Sequence, residues 1–136
     1  MTASGLENWK AYMASDHRMD LGALIHEDCV FRSPIVHTPQ KGKAITLLYL
    51  AAAAKVLGNE SFRYVREYGA EKSAALEFEC RVGGVDINGI DLIEWDKDGL
   101  LTDFKVMIRP LQAIEMVHKL MGYMLVRMKE NAQLGY

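Results

Sequence analysis

A chain of 136 residues, half of them hydrophobic, has room for one domain with a substantial core and little for a second. Sixteen basic and 18 acidic side chains leave a net charge of −2. That balance offers phosphates no basic face and excludes nucleic acid as the expected partner.

In chain order, Leu6, Trp9, Tyr12 and Met13 recur at helical spacing behind a capping Ser4, which predicts a first helix. Leu21, Leu24 and Ile25 mark a short second one. Residues 29–33 read as a strand ended by Pro34, and residues 34–42, with two prolines and His37, read as loop. Residues 44–57 predict the clearest helix, with four successive alanines, no breaker, and Gly58-Asn59 as the stop. Beyond Gly58 the apolar period changes from that of a helix to that of a strand. Four strands are expected at 62–68, 73–82, 85–95 and 101–108, after which Pro110 opens a last helix through about residue 128. Helices followed by an antiparallel meander predict a single α+β domain spanning residues 1–136.

The hairpins carry the most information. Gly83-Gly84 suits a tight two-residue turn, which pairs Val82 with Val85, Cys80 with Ile87, Phe78 with Gly89 and Leu76 with Asp91. Directly opposed residues share a face. One face then carries Leu76, Phe78, Cys80, Val82, Val85, Ile87 and Ile93, with a single acid, Asp91, among them. A four-residue loop, Asp96-Lys97-Asp98-Gly99, sets Asp91 opposite Phe104 and Gly89 opposite Val106, so Phe104, Val106 and Ile108 join that face. Asp91 is therefore expected as a lone carboxyl on an apolar surface. Full burial raises a carboxyl's pKa by up to ~3–5, which fits either a general base or a protonated hydrogen-bond donor. A structural acid held by a backbone amide, a tyrosine or a water is the other reading. On the opposite face Ile90 and Leu92 sit among Glu77, Glu79, Arg81, Asp86, Asn88 and Glu94, a pattern that predicts a homodimer through the outer sheet face.

Two segments then connect the chain to a known family: Phe31-Arg32-Ser33-Pro34 followed by Gly42, and Asn88-Gly89-Ile90-Asp91-Leu92-Ile93-Glu94-Trp95. With the element order, they make it resemble the cone-shaped α+β superfamily of nuclear transport factor 2. The second segment resembles the Gly-x-Asp strand of SnoaL-like polyketide cyclases and the matching strand of ketosteroid isomerase. The resemblance implies a curved antiparallel sheet wrapped around helices, an apolar pocket, and isomerase or cyclase chemistry without a cofactor. It places Asp91 on the cyclases' catalytic base and on the isomerase's protonated oxyanion-binding aspartate. Trp9 falls where the isomerase has its oxyanion-binding tyrosine, and an indole N–H is also a donor. Ser33 stands where the isomerase has its proton-shuttling aspartate, and Tyr49 lies within one residue of a supporting tyrosine. The Asp–Arg–Asp group of the related limonene-epoxide hydrolases is missing: Gly89 stands for the arginine and Val106 near the second aspartate.

The site expected is thus Asp91 and Trp9 as catalytic groups, with Ser33, Tyr49, Phe78, Phe104, Val106, Ile108 and His37 against a small hydrophobic ligand. A binding protein without catalysis is the rival reading. His17, His26, His37 and His118 show no paired metal-ligand spacing, and no metal is expected. Tyr64 and Tyr68 share one face of their strand with Phe62 and Arg66, but which face is left open. Met116, Met121, Met124 and Met128 on the last helix read as core or as pocket lining. Two cysteines, Cys29 and Cys80, are too few to staple the fold, no apolar run reaches the ~20 residues of a membrane helix, and the first residues lack a secretory pattern. A soluble cytoplasmic protein with reduced thiols is expected.

Overall fold

A computed structural model describes residues 4–133. Helix α1 (Gly5–Ala14) begins at Ser4, whose hydroxyl oxygen accepts from the Glu7 amide at 3.2 Å. One 3₁₀ turn (Leu21–Leu24) leads into β1 (Ile25–Arg32), then β2 (Gln40–Lys41) and α2 (Lys43–Leu57). The meander follows as β3 (Arg63–Gly69), β4 (Ser73–Val82), β5 (Val85–Trp95) and β6 (Leu101–Arg109), and α3 (Leu111–Gln133) is the last element described. The six strands form one sheet in the order β2-β1-β6-β5-β4-β3.

The sheet is mixed rather than wholly antiparallel, because β1 runs parallel to β6. A parallel pair needs a long crossover, and here the whole of α2 and the meander supplies it. Strand β1 starts four residues before the expected Cys29. Its charged Glu27 and Asp28 occupy an irregularity between Ile25 and Val30 that breaks strand alternation and hides the strand from a period-based reading. Likewise α3 begins after Pro110, whose carbonyl accepts from Ala113 and Ile114, and runs on to Gln133, because residues 129–133 hold no helix breaker.

The β4–β5 register is the one the turn predicts, through all four expected pairs. Between β5 and β6 the register differs by two: Asp91 opposes Val106, and Ile93 opposes Phe104. The loop, five residues (96–100) rather than four, contributes one residue of the difference, and a bulge between Glu94 and Trp95 contributes the other. A shift of two preserves the face of every side chain, so Phe104, Val106 and Ile108 still share Asp91's side. Strand β3 departs further. A bulge at Val65 sets Tyr64 opposite Phe78 and Tyr68 opposite Ala75, so the two tyrosines lie on opposite faces, not on one.

The helices pack over the inner face: α2 against β1 and α3, α3 also against β5 and β6, and α1 against β4 and β5. Gly42, at φ 113°, makes the turn that brings α2 onto β1, an angle that side-chain-bearing residues rarely take. The Thr46 hydroxyl, fully buried, lies 2.8 Å from the Gly42 carbonyl and 3.3 Å from that of Cys29, which locks the helix start to the strand. The core left between helices and sheet is aromatic at its centre. Trp9 meets Phe104 edge-on at 4.9 Å, Phe31 stacks on Tyr49 at 5.0 Å, and Phe62 stacks on Phe78 at 5.2 Å.

Candidate active site

The concave side does not fill completely. A cavity of ≈ 270 Å³ remains between α1, α2, α3 and the inner sheet face, near the lower end, ~300 Å³, of small-molecule sites. Asp91, Trp9, Ser33, Tyr49, Phe78, Phe104, Val106 and Ile108 all line it. His37 does not: it sits on the exposed 33–39 loop and lines a neighbouring depression with Arg32 and Lys105. The cavity wall holds no lysine or arginine among the described residues; its titratable groups are Asp91, three tyrosines, His17 and His118.

Asp91 projects from the middle of β5 and is 6% exposed. Tyr64 donates to its Oδ2 at 2.6 Å, and the Trp9 Nε1–H donates to the Tyr64 oxygen at 3.0 Å. Three elements, α1, β3 and β5, thus meet in one hydrogen-bonded relay. Burial pushes the Asp91 carboxyl up to about 7, with the Tyr64 hydrogen bond pulling the other way. Burial, then the adjacent carboxyl, holds the Tyr64 phenol well above its usual range. Tyr64 is the one hydrogen-bond partner of the Asp91 carboxyl among the described residues, and Asp91 lies on the cavity wall. A carboxyl poised near neutrality, held by one hydrogen bond on the wall of an apolar chamber, is chemically suited to taking and returning a proton.

Trp9 reaches Asp91 only through Tyr64, so the strongest partner of the predicted acid is a residue whose facing the sequence leaves open. The bulge at Val65 has no glycine or proline to announce it. Ser33 is committed elsewhere: its Oγ accepts from the amides of Ile35 (3.0 Å) and Val36 (3.2 Å) and so shapes the loop. His17 and His118 on the wall are placements that sequence spacing does not reveal. Gly89 and Val106 are buried on this same face. Among the described residues no three His, Cys, Asp or Glu side chains converge as a metal site, and no helix is long and apolar enough to cross a membrane. Burial pushes the Cys29 and Cys80 thiols up to about 11, which makes both poor nucleophiles.

Among solved structures, this chain is similar to a steroid delta-isomerase from Pseudomonas aeruginosa, with 34% identity over 93% of this chain and 92% of that one, at a TM-score of 0.86. It is also similar to an uncharacterized bacterial protein with a cystatin-like fold from Silicibacter pomeroyi (32% identity, 82% and 78% covered, TM-score 0.75). A putative isomerase from Rhodopseudomonas palustris shares the fold at 16% identity, over 88% and 99% of the two chains, with a TM-score of 0.66. No family model and no curated protein matches the chain.

Proposed function

The chain belongs to the nuclear transport factor 2-like superfamily, beside its steroid isomerase-like members, and from that premise we propose that it catalyses proton transfer on a small apolar carbonyl compound. The reaction is an isomerisation or an aldol-type cyclisation with Asp91 as the acid/base. The observation that carries this reading is the buried carboxyl near pKa 7 on the Tyr64–Trp9 relay. As carboxylate, Asp91 takes a proton from the carbon beside the carbonyl; the C–H pair moves into an enolate and Asp91 becomes neutral. A neutral Asp91 needs the Tyr64 hydrogen bond less. With Trp9 still donating to its oxygen, the phenol turns its proton to the enolate oxygen. Where the enolate is conjugated with a carbon–carbon double bond, Asp91 then delivers its proton to the far carbon of that system and the phenol takes its own proton back, which shifts the double bond and completes an isomerisation without any net change at the protein.

The test is exchange of the α-protons of β-tetralone for deuterium, followed by NMR in heavy water. Wild type is expected to exceed Asp91→Asn by ~10²–10⁴-fold, the usual worth of a positioned general base. Equal rates, at preserved ligand binding, would leave the second reading: a ligand-binding protein without catalysis. Ser33 favours that alternative: a serine supplies no second carboxyl at the position where the isomerase has its shuttle, and its hydroxyl oxygen is occupied by the amides of Ile35 and Val36.

The partner proposed is a second copy of this chain across the outer sheet face. Ile90 and Met107 oppose each other there, Met107 is 48% exposed, and Leu92 lies alongside. Light scattering of the purified chain is expected to give a dimer, and Ile90→Glu with Met107→Glu a folded monomer. A wild-type monomer at micromolar concentration would sink the dimer. A cytoplasmic location is part of the same reading, because Cys29 and Cys80 are free thiols and fit a reducing compartment.

A further inference from the structure

Strand β1 ends at Arg32, whose partner in the parallel ladder is Lys105, while β6 continues to Arg109. Residues 106–109 therefore have no partner on β1. Among the described residues no main-chain hydrogen bond joins them to the 33–39 loop either. The depression beside the chamber, ≈ 460 Å³, lies at this notch in the sheet. Pro34, Val106, Met107 and Ile108 give it apolar walls, and Arg32, His37 and Lys105 line it as well.

Its two strong cations are not served equally. Arg32 and Lys105 stand side by side on the outer face, a like-charged cross-strand pair that costs stability. Asp103 answers Arg32: the guanidinium Nε donates to its two oxygens at 3.0 and 3.2 Å, and Nη2 lies 3.0 Å from Oδ2. Nothing answers Lys105. It forms no ion pair among the described residues, its neighbour on β5 is Leu92, and the next residue on its own strand face is Met107. A half-buried ammonium between a guanidinium and two apolar side chains is short of one negative charge.

We propose that this depression is a binding site for a small monocarboxylate, with Lys105 as the counter-ion, Arg32 as a second donor, and Pro34 and Met107 against the apolar body of the ligand. Arg32 has donors to spare, because Nη1 makes no hydrogen bond among the described residues. With Arg32 neutralised by Asp103, the remaining charge is one, which matches a carboxylate rather than a phosphate dianion. The site is separate from the proton-transfer reading. Ser33, Pro34, Val106 and Ile108 line both hollows, but Asp91, Trp9 and Tyr64 line only the chamber, and Arg32, His37 and Lys105 only the depression. Met107 also belongs to the face proposed for a second copy, whereas Arg32, Pro34 and His37 lie on β1 and the loop that follows it.

The experiment is an amide-detected NMR titration of the purified chain with benzoate, benzamide and inorganic phosphate. Benzoate is expected to bind with a Kd on the order of 1 mM and to move the amides of Arg32, His37 and Lys105 more than those of Trp9 and Tyr64. Benzamide has the same shape without the charge, and phosphate has charge without an apolar body; each is expected to bind about tenfold more weakly. Lys105→Met keeps an apolar stem and relieves the repulsion with Arg32, so the variant is expected to fold and to lose about tenfold in benzoate affinity. Lys105→Arg restores the charge and most of that affinity. Shifts confined to Trp9 and Tyr64, equal affinities for benzoate and benzamide, phosphate at least as tight as benzoate, or wild-type binding by Lys105→Met each overturn the proposal. Failure of the proton-transfer reading shows separately, as equal α-proton exchange in wild type and Asp91→Asn, whatever the outcome of the titrations.

Discussion

Asp91→Asn is expected to stabilise the fold at alkaline pH and to remove a slope from its pH-stability curve. The carboxyl's ordinary value of 3.8 rises to about 7 on folding. Between those values the folded chain holds a proton that the unfolded chain has released, so stability falls as pH rises through the window. The loss sums to about 4 kcal/mol and is complete by about pH 8. Asparagine carries no titrating proton and still accepts from Tyr64. The variant should therefore match wild type near pH 4 and exceed it near pH 8 by up to that amount. Asp96, whose carboxyl is held low by the Leu100 amide first of all, contributes the opposite slope, but equally to both proteins. Tyr64→Phe sharpens the test, since it removes the hydrogen bond that holds Asp91 down and moves the window to higher pH. It also strips the buried Trp9 N–H of its acceptor, at about 1–3 kcal/mol. Denaturant titrations across pH measure all three proteins, and superimposable curves for wild type and Asp91→Asn would remove the buried, protonated Asp91 from consideration.

Gly89→Ala is the second large effect. Gly89 lies opposite Phe78 on the inner face, and a Cβ there would collide with the Phe78 ring and stand 2.7 Å from the Met107 carbonyl oxygen. The ring is 1% exposed and stacked on Phe62, so it has nowhere to retreat without displacing the cavity floor. A destabilisation of about 3 kcal/mol, the upper part of the range for overpacked cores, is expected in urea unfolding. A loss below about 0.5 kcal/mol would mean that the sheet relaxes freely there.

The central hairpin was legible because Gly83-Gly84 and strict alternation specify its register together, and the lone acid on the inner face followed from that register. The β5–β6 pairing was misjudged by two residues without consequence, because parity decides the face and survived the Trp95 bulge. Long-range features were harder. The β1–β6 parallel pair joins residues some 70 positions apart and leaves no local trace. The Tyr64 contact depends on an unannounced bulge, and the His17 placement on two backbone angles that composition does not encode. Of the expected site residues, eight of the nine share one cavity, and His37 is carried outside it by the loop that Ser33 caps.

The Val65 bulge has one more consequence. Strand β3 is an outer strand of the sheet, where unpaired amides and carbonyls invite a neighbouring chain to add its own strand. A bulge twists such an edge, and Arg63, Arg66 and Glu67 place charge along it. The extra residue that puts a phenol on the chamber wall thereby also denies other chains a flat edge to extend, so the lining of the cavity and the guarding of the edge depend on a single position.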